Sequence, residues 1–385
     1  MHLRRRIAFA AITVLLIAST GAASVEPSSG GRRAGQPVVG SADPVVPFIS
    51  ARATRLFDGR QPFYLRGFNL YNINGRGNCG YQIPDLDAEL DAIGPAANVI
   101  RGWFFQRLAT DPETGKLDWS VFDETLATLR ERGVRVIATL ADEWGACDGD
   151  APRDRLTLDW YQSGYRNAPY APGAPLSYRD WVSAIVTRYR DDPTILAWQL
   201  MNEAEAPVRA DGTCDEAAAV EALRAWAADV AGMVKDADAN HLVSLGTIGG
   251  GQCGMRGPDY RTLHAIPEID LCEHHDYRDW QVVPDDLRYD LAVCHELGKP
   301  TFIGEFGISA AAFRGDLDAR AIAIASKQAS ARRAGAVGSL VWAWRSDGDG
   351  GSSTIGFDVG PGDPLLDRLA AQARSASRRT DPSMR

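Results

Sequence analysis

Two glutamates each come at the end of an apolar run of the kind that forms a buried strand. Glu203 ends the run LAWQLMNE, directly after Asn202, and Glu305 lies within FIGEFG. Two carboxyl groups can cleave a glycosidic bond, because one protonates the departing oxygen while the other attacks the anomeric carbon, at roughly 5 Å separation when configuration is retained. Either carboxylate alone is as easily a solvated loop acid. The glycosidase hypothesis therefore depends on the two lying together.

Side chains suited to binding a sugar end several other apolar runs. They are Arg101 and Trp103 in NVIRGWFF, Trp144 in ADEWG, His275 and Tyr277 in EHHDY, and Trp342 and Trp344 in VWAWR. A cleft lined by aromatic faces and a few convergent polar groups is typical of a small-molecule or glycan site.

The run from Glu273 to Asp276, which is EHHD, also offers the side chains that zinc or iron prefers. Successive residues of a strand point to opposite faces, so the run cannot all meet one ion. We expect no metal and no organic cofactor.

Positioning these groups requires a repeated strand and helix pattern, and the chain has one. Strand-like runs cover 63–70, 98–105, 134–140, 195–201, 242–246, 269–275, 301–306 and 338–344, and helix-like segments include 119–132, 178–189, 215–236, 284–297 and 317–334. This alternation predicts a single-domain α/β fold, a (β/α)8 TIM barrel, whose strand ends meet at one catalytic face. An open doubly wound sheet is less consistent, since its Gly-rich phosphate turn is missing after the first strand.

With these motifs in order, the chain resembles glycoside hydrolase family 5 of clan A, and most of all its endo-β-1,4-mannanase branch. The resemblance extends from FYLRGFNLYNIN through NVIRGWFF, LAWQLMNE, CEHHDY and FIGEFG to LVWAW. It implies that Glu203 is the acid/base and Glu305 the nucleophile, that Asn202 binds the sugar 2-hydroxyl, and that Arg101 orients Glu305 and keeps it ionised.

The same resemblance implies that Tyr277 contacts the nucleophile and that His275 lies by the acid/base. It also implies an aromatic floor for the cleaved sugar, which Trp342 matches best. Trp344 lies two residues further on and shares its direction if the strand continues, so the choice between the two tryptophans is open.

Two departures leave the substrate open. The family's Asn-Glu-Pro is Asn-Glu-Ala here, with Ala204, and its Asn-Asn-Trp is Asp142-Glu143-Trp144, which adds negative charge near the expected cleft. The leading hypothesis is an endo-acting hydrolase of β-1,4-mannan, with a polysaccharide or oligosaccharide as its partner. The alternatives are an endoglucanase, another β-glycan hydrolase or a transglycosylase of the same family, and a glycan-binding barrel without turnover.

The amino terminus predicts export. Residues 1–23 combine three arginines, an apolar run and small residues in the order of a signal peptide, and the apolar run is shorter than the roughly 20 residues of a membrane anchor. Residues 24–47 are expected to form a flexible leader, 48–374 the catalytic domain and 375–385 a disordered tail. We therefore expect a secreted protein with no membrane anchor after cleavage. We also expect it to be a monomer.

Charge and cysteine content narrow the function further. The net charge is −9 and the expected folded part has no cluster of lysine and arginine, so nucleic acid is not an expected partner. The six cysteines are widely spaced, which favours disulfides in an oxidising compartment over a zinc site. The sequence leaves their pairing open.

Overall fold

The structure is a computed structural model that describes residues 46–75, 85–145, 155–169, 174–279, 283–345 and 351–380, with side chains described through residue 374. The predicted signal peptide and residues 24–45 of the predicted leader lie outside this part of the chain. The first regular element in it begins at Ile49.

A small antiparallel sheet precedes the barrel. It consists of β1 (Ile49–Arg52), β2 (Arg55–Asp58) and β3 (Gln61–Phe63), paired in that order. Ile49 and Leu56 are buried in one cluster with the apolar residues at the starts of the following strands. This sheet therefore covers the amino end of the barrel.

Eight strands of the described chain form a second sheet in which every neighbouring pair is parallel. They are β4 (Leu65–Asn69), β5 (Val99–Trp103), β6 (Arg135–Thr139), β7 (Ile195–Gln199), β8 (Leu242–Ser244), β9 (Cys272–Asp276), β10 (Thr301–Phe306) and β11 (Gly338–Val341). A parallel bridge between Ser244 and Leu271 joins β8 to the start of β9 and closes the ring. All eight predicted strands and the TIM barrel are confirmed.

Helices follow the strands around the outside of the ring. In the described residues they are α1 (Leu86–Ile93), α2 (Ser120–Glu131), α3 (Leu158–Gln162), α4 (Tyr178–Tyr189), α5 (Glu216–Ala237), α6 (Pro258–His264), α7 (Asp285–Leu297), α8 (Leu317–Arg333) and α9 (Pro364–Thr380). The five predicted helices correspond to α2, α4, α5, α7 and α8. Local chemistry sets their ends, as where Asp215 caps α5 by accepting from the Ala218 amide and Gly298 ends α7 in the left-handed region.

The last helix changes the predicted boundary between the catalytic domain and the disordered tail. Because α9 runs to Thr380, residues 375–380 of the predicted disordered tail continue a helix in the structure. Residues 381–385 lie outside the described part.

The barrel interior has two layers of different chemistry. Strand alternation directs Val99, Ile137 and Leu340 into a buried apolar cluster near the amino end. Two residues later on the same faces, β5 and β6 carry Arg101 and Thr139, both fully buried. The strands thus exchange apolar for polar side chains as they approach the carboxyl end, which is where barrel sites form.

Two disulfides of the described residues join segments that are separated in sequence. Cys214 pairs with Cys253, and Cys272 of β9 pairs with Cys294 of α7. Cys79 and Cys147 lie outside the described residues. Across the described chain, no helix has both the length and the apolar character needed to cross a membrane.

Candidate active site

Arg101 lies at the centre of the polar layer with no exposed surface. Its guanidinium donates to four side chains that come from different strands or strand ends. The acceptors are Asn69 Oδ1 at 2.8 Å, Gln199 Oε1 at 2.9 Å, Asn202 Oδ1 at 2.6 Å and Glu305 Oε1 at 2.7 Å. Because a guanidinium is planar and permanently charged, it holds these groups in fixed directions and compensates buried negative charge.

Glu305 lies on β10 and receives donors on both carboxylate oxygens. Oε1 accepts from Arg101, and Oε2 accepts from the hydroxyl of Tyr277. Burial and the charges of the two glutamates Glu305 and Glu203 raise the pKa of Tyr277 well above its ordinary value. Tyr277 therefore remains a hydroxyl donor to Glu305 over the whole working pH range.

Glu203 follows β7 in a backbone conformation that non-glycine residues rarely adopt, with φ of 56°. Gln252 supports this conformation, since its Nε2 donates to the Glu203 carbonyl at 2.6 Å. The side chain accepts from Trp144 Nε1 at 2.6 Å through Oε2, and its Oε1 lies 2.8 Å from His275 Nδ1. Burial raises the pKa of Glu203, but the donors His275 and Trp144 and the charge of Arg101 hold it below its ordinary value.

The two carboxylates lie close together at the carboxyl end of the barrel. One oxygen of Glu203, one oxygen of Glu305 and one ring nitrogen of His275 all lie within 4.8 Å of one another. Two carboxylates this close can act on the same bond of a substrate.

The same three groups could offer ligands to a metal ion. However, Arg101 and Tyr277 already donate to Glu305, and Trp144 donates to Glu203. Hydrogen-bond donors and a fixed positive charge therefore organise this cluster, which is chemistry opposed to binding a cation.

Strand β9 separates its side chains between two faces, as its alternation predicted. Glu273 and His275 point into the barrel, where His275 Nε2 lies 3.2 Å from Glu273 Oε1. On the outer face, His274 Nδ1 lies 2.8 Å from Asp290 Oδ2, and Asp276 Oδ1 lies 3.2 Å from a lysine of α8. The EHHD run therefore does not converge on one point.

Burial alone would lower the pKa of His275. The charge of Glu305 and the hydrogen bonds that the ring donates to Glu203 and Glu273 outweigh it and raise this pKa to about 10. His275 is thus an imidazolium at neutral pH, surrounded by carboxylates.

Aromatic rings form one wall beside the carboxylates. Trp342 is partly buried and stacks on Tyr71, with ring centroids 5.4 Å apart and planes inclined by 11°. Trp103 lies behind these two rings and is only 2% exposed. Trp103 was predicted to bind substrate, but it supports the wall and does not present a face.

Trp344 was a second candidate for the sugar platform, and the structure places it in the core. It is 1% exposed, and its Nε1 donates to Glu89 of α1 at 2.8 Å. The shared direction expected for Trp342 and Trp344 required a continuing strand, but β11 ends at Val341. Trp342 is therefore the tryptophan of this pair at the mouth.

Both carboxylates of the acidic pair that follows β6 are buried and hydrogen-bonded. Asp142 accepts from Asn202 Nδ2 at 2.7 Å, and Glu143 accepts from the Tyr161 hydroxyl at 2.6 Å. Arg155 lies 3.4 Å from Glu143 and also covers the indole of Trp144, with Cζ 4.4 Å from the ring. Trp144 keeps 43% of its surface exposed at the rim.

Comparison with known proteins shows what this chain is similar to. Residues 177–328 match the family model described as glycoside hydrolase family 5, beta-mannosidase-like. A rice (Oryza sativa subsp. japonica) protein named mannan endo-1,4-beta-mannosidase 8 is 27% identical over 312 residues, covering 68% of this chain and 80% of that protein. The chain is a glycoside hydrolase, and its residues 177–328 are similar to family 5.

A second sequence relative and a solved structure resemble the chain as well. An Aspergillus terreus protein named probable mannan endo-1,4-beta-mannosidase C is 31% identical over 212 residues, covering 51% of this chain and 50% of that protein. The solved endo-1,4-beta-mannanase of Rhizomucor miehei superposes with a TM-score of 0.62 at 18% identity, over 86% of this chain and 100% of that one. The structural match supports the barrel fold, and the sequence relatives support an endo-mannanase-type glycoside hydrolase.

Several buried residues beside the carboxylates were not predicted from the sequence to belong to this site, although Glu273 was considered as a metal ligand. Asn69, Gln199 and Glu273 are fully buried and bonded within the polar layer. Each is a polar residue whose side chain points into the barrel, and Gln199 also follows four apolar residues of its strand. Tyr71 had no comparable sequence pattern, because its stacking on Trp342 depends on how two loops meet.

Proposed function

We propose that this hydrolase is a secreted, retaining endo-β-mannanase in which Glu305 is the nucleophile and Glu203 the acid/base. The observation that carries the proposal is the distance between the carboxylates, whose nearest oxygens lie within 4.8 Å. Retaining glycosidases place these groups about 5 Å apart, whereas inverting enzymes need about 6.5–9.5 Å for an intervening water.

In the first step, a Glu305 oxygen bonds to the anomeric carbon as the bond to the leaving oxygen breaks. Glu203 gives that oxygen a proton. Arg101 and Tyr277 support the attack, because their donors hold Glu305 in one orientation. In the second step, water attacks the anomeric carbon, its proton passes to Glu203, and the bond to Glu305 breaks.

The neighbouring groups suit a pyranose between these carboxylates. Trp342 offers an indole face backed by Tyr71. Asn202 Nδ2 uses one hydrogen for Asp142, and its second hydrogen is assigned to the sugar 2-hydroxyl. Trp144 is assigned to the leaving-group side, because its contact is with Glu203.

Mannan is proposed as the substrate because the relatives compared above are named mannan endo-1,4-beta-mannosidases. Reducing ends released from mannan, glucomannan, cellulose and xylan at equal polymer mass would test this. We expect the highest rate on mannan and internal cleavage of its chains. A higher rate on cellulose would instead support the endoglucanase alternative.

Substitution of the carboxylates tests their roles. Glu305→Ala and Glu203→Ala should each lower turnover by several orders of magnitude while the thermal unfolding midpoint stays near that of the wild type. With azide and an aryl β-mannooligosaccharide, the Glu305 variant should release a glycosyl azide of inverted configuration and the Glu203 variant one of retained configuration.

Glu296→Ala is the matched control, because Glu296 is an exposed glutamate on α7 paired with Arg261. It should retain full turnover. Wild-type activity in either the Glu203 or the Glu305 variant would contradict the assignment, and an inverted product from the wild type, seen by NMR of fresh digests, would contradict retention.

Secretion is proposed from the amino-terminal sequence, and the two disulfides of the described residues support it, since such bonds persist in oxidising compartments. Expression of the full chain in a secreting host should yield medium protein whose first residue, by mass spectrometry, follows Ala23. Retention of the intact chain inside the cell would argue against it.

A further inference from the structure

Glu273 is a buried acid that the proposed chemistry does not use. It lies on β9 with no exposed surface. Gln199 Nε2 donates to its two oxygens at 2.7 and 2.6 Å, and Ser244 Oγ donates at 2.7 Å. A side chain at position 304 would occupy its space, since a Cβ on Gly304 would lie 1.8 Å from Oε1. Burying a carboxylate is costly unless a charge compensates it.

The compensating charges are the histidine and the arginine of the site. Glu273 Oε1 lies 3.2 Å from His275 Nε2 and 4.0 Å from Arg101 Nε. On the other side of the imidazole, His275 Nδ1 lies 2.8 Å from Glu203 Oε1. Both ring nitrogens therefore face carboxylates, so each needs a hydrogen to donate.

The groups facing His275 come from several elements of the barrel. They are Glu203 after β7, Glu273 on β9, Glu305 on β10 at 3.7 Å from Nδ1, and, bonded to these carboxylates, Tyr277 and Arg101. Glu273 is the acid among them that lies beneath the ring, away from the mouth, so it can fix the ring without contacting a sugar.

Resting on the proposed roles of Glu203 and Glu305, we propose that Glu273 is a positioning residue that accepts the hydrogen bond from His275 Nε2–H. This contact orients the imidazole so that its Nδ1 proton lies on the hydrogen bond to Glu203. That proton is the one that Glu203 gives to the leaving oxygen. In the first step the proton passes from His275 through Glu203 to the leaving oxygen. In the second step a proton from the attacking water returns through Glu203 to His275. The Nε2 proton remains on the bond to Glu273 throughout.

The pKa directions agree with this geometry. Although burial opposes both charges, the pKa of Glu203 is held below its ordinary value, and that of His275 is raised to about 10. The proton needed by the acid is therefore held by the Glu203–His275 pair up to alkaline pH and resides on the histidine in the free enzyme.

The test is the isosteric substitution Glu273→Gln. Removing this negative charge should lower the proton affinity of His275, so the alkaline limb of kcat/KM against pH should move to lower pH by about one unit or more. The substrate is a mannooligosaccharide of defined length. Nitrogen-15 NMR of the His275 ring, which reports the same titration without turnover, should show an equal downward shift.

A second buried histidine–carboxylate pair provides a matched control. His274 and Asp290 form it on the outer face of the same strand. Asp290→Asn should lower stability but leave the alkaline limb and the His275 titration unchanged. The proposal would be overturned if Asp290→Asn moved the alkaline limb of kcat/KM as far as Glu273→Gln does.

A double substitution distinguishes the effect of where the buried carboxylate lies from the effect of the net charge of the polar layer. Gln199→Glu combined with Glu273→Gln returns a carboxylate to the same layer, where residue 199 accepts from Arg101 Nε at 2.9 Å. It should recover stability lost in the single variant but not the alkaline limb, because residue 199 bonds to Arg101, Thr139 and residue 273 and not to the His275 ring. It also serves as the test if Glu273→Gln alone does not fold.

An unchanged limb and an unchanged His275 titration in a folded Glu273→Gln variant would overturn the inference. This failure differs from failure of the proposed function, which would appear as turnover in the Glu203→Ala or Glu305→Ala variants.

Discussion

The two ends of the barrel are built from the same strands and are equally buried, yet their chemistry is opposite. At the amino end, inward residues such as Leu65, Val99 and Leu340 pack in an apolar cluster with Ile49 and Leu56 of the small sheet. At the carboxyl end, Arg101 and its partners form a continuous network of charged hydrogen bonds. Each strand therefore contributes to stability with its first residues and to the site with its last.

The energetic terms differ in the same way. Apolar burial at the amino end stabilises the fold in proportion to area, about 25 cal/mol for each Å² removed from water. At the carboxyl end, desolvation of several charges opposes folding, and their mutual attraction offsets that cost only with good geometry. Substitutions at the mouth should therefore alter turnover more than stability, and substitutions at the amino end the reverse.

The largest expected effect is at the mouth. Arg101→Lys keeps the positive charge but loses the planar fork that reaches four acceptors, so kcat should fall about 100- to 1000-fold. Steady-state kinetics on a mannooligosaccharide would measure it. Arg188→Lys is the control, since Arg188 pairs with Asp123 on the surface. Wild-type kcat in Arg101→Lys would show that the fork does not organise the carboxylates.

The next effect is at the amino end. Leu340→Ala should lower the free energy of unfolding by about 2–5 kcal/mol, because it opens a cavity in a fully buried cluster. Urea unfolding gives this value, and kcat per folded molecule should remain that of the wild type. Ile322→Ala, at a residue of α8 that is 50% exposed, should change stability little. A selective loss of kcat in Leu340→Ala would mean that the two ends are coupled.

The smallest expected effects are those of substituting Trp344 and Trp342, and they should differ in kind. Trp344→Phe should cost about 1–3 kcal/mol of stability, because Glu89 loses a buried donor, while KM stays unchanged. Trp342→Phe should raise KM with little change in the unfolding midpoint. Thermal unfolding combined with KM measurements distinguishes the two, and a raised KM in Trp344→Phe would place that residue in the cleft after all.

Prediction from the sequence succeeded for the barrel strands, because the hydrophobic periodicity within one segment was enough to recognise each of them. Eight apolar runs of strand length were recognisable without partners, and Glu203 and Glu305 stood at the ends of two of them. It failed for Trp344 because alternation was extended beyond Val341, where β11 ends. Glu273 was considered only as a metal ligand, since its actual partners lie on strands distant in sequence.

The sequence by itself determined the barrel and the face on which chemistry would occur, because hydrophobic periodicity and strand ends are local properties of the chain. Only the tertiary structure decided which carboxylates hydrogen-bond to which histidine, which tryptophan reaches the mouth, and which donors bind the acidic pair Asp142 and Glu143. These outcomes depend on distances between residues far apart in the chain, and Coulomb and hydrogen-bond energies vary steeply with such distances.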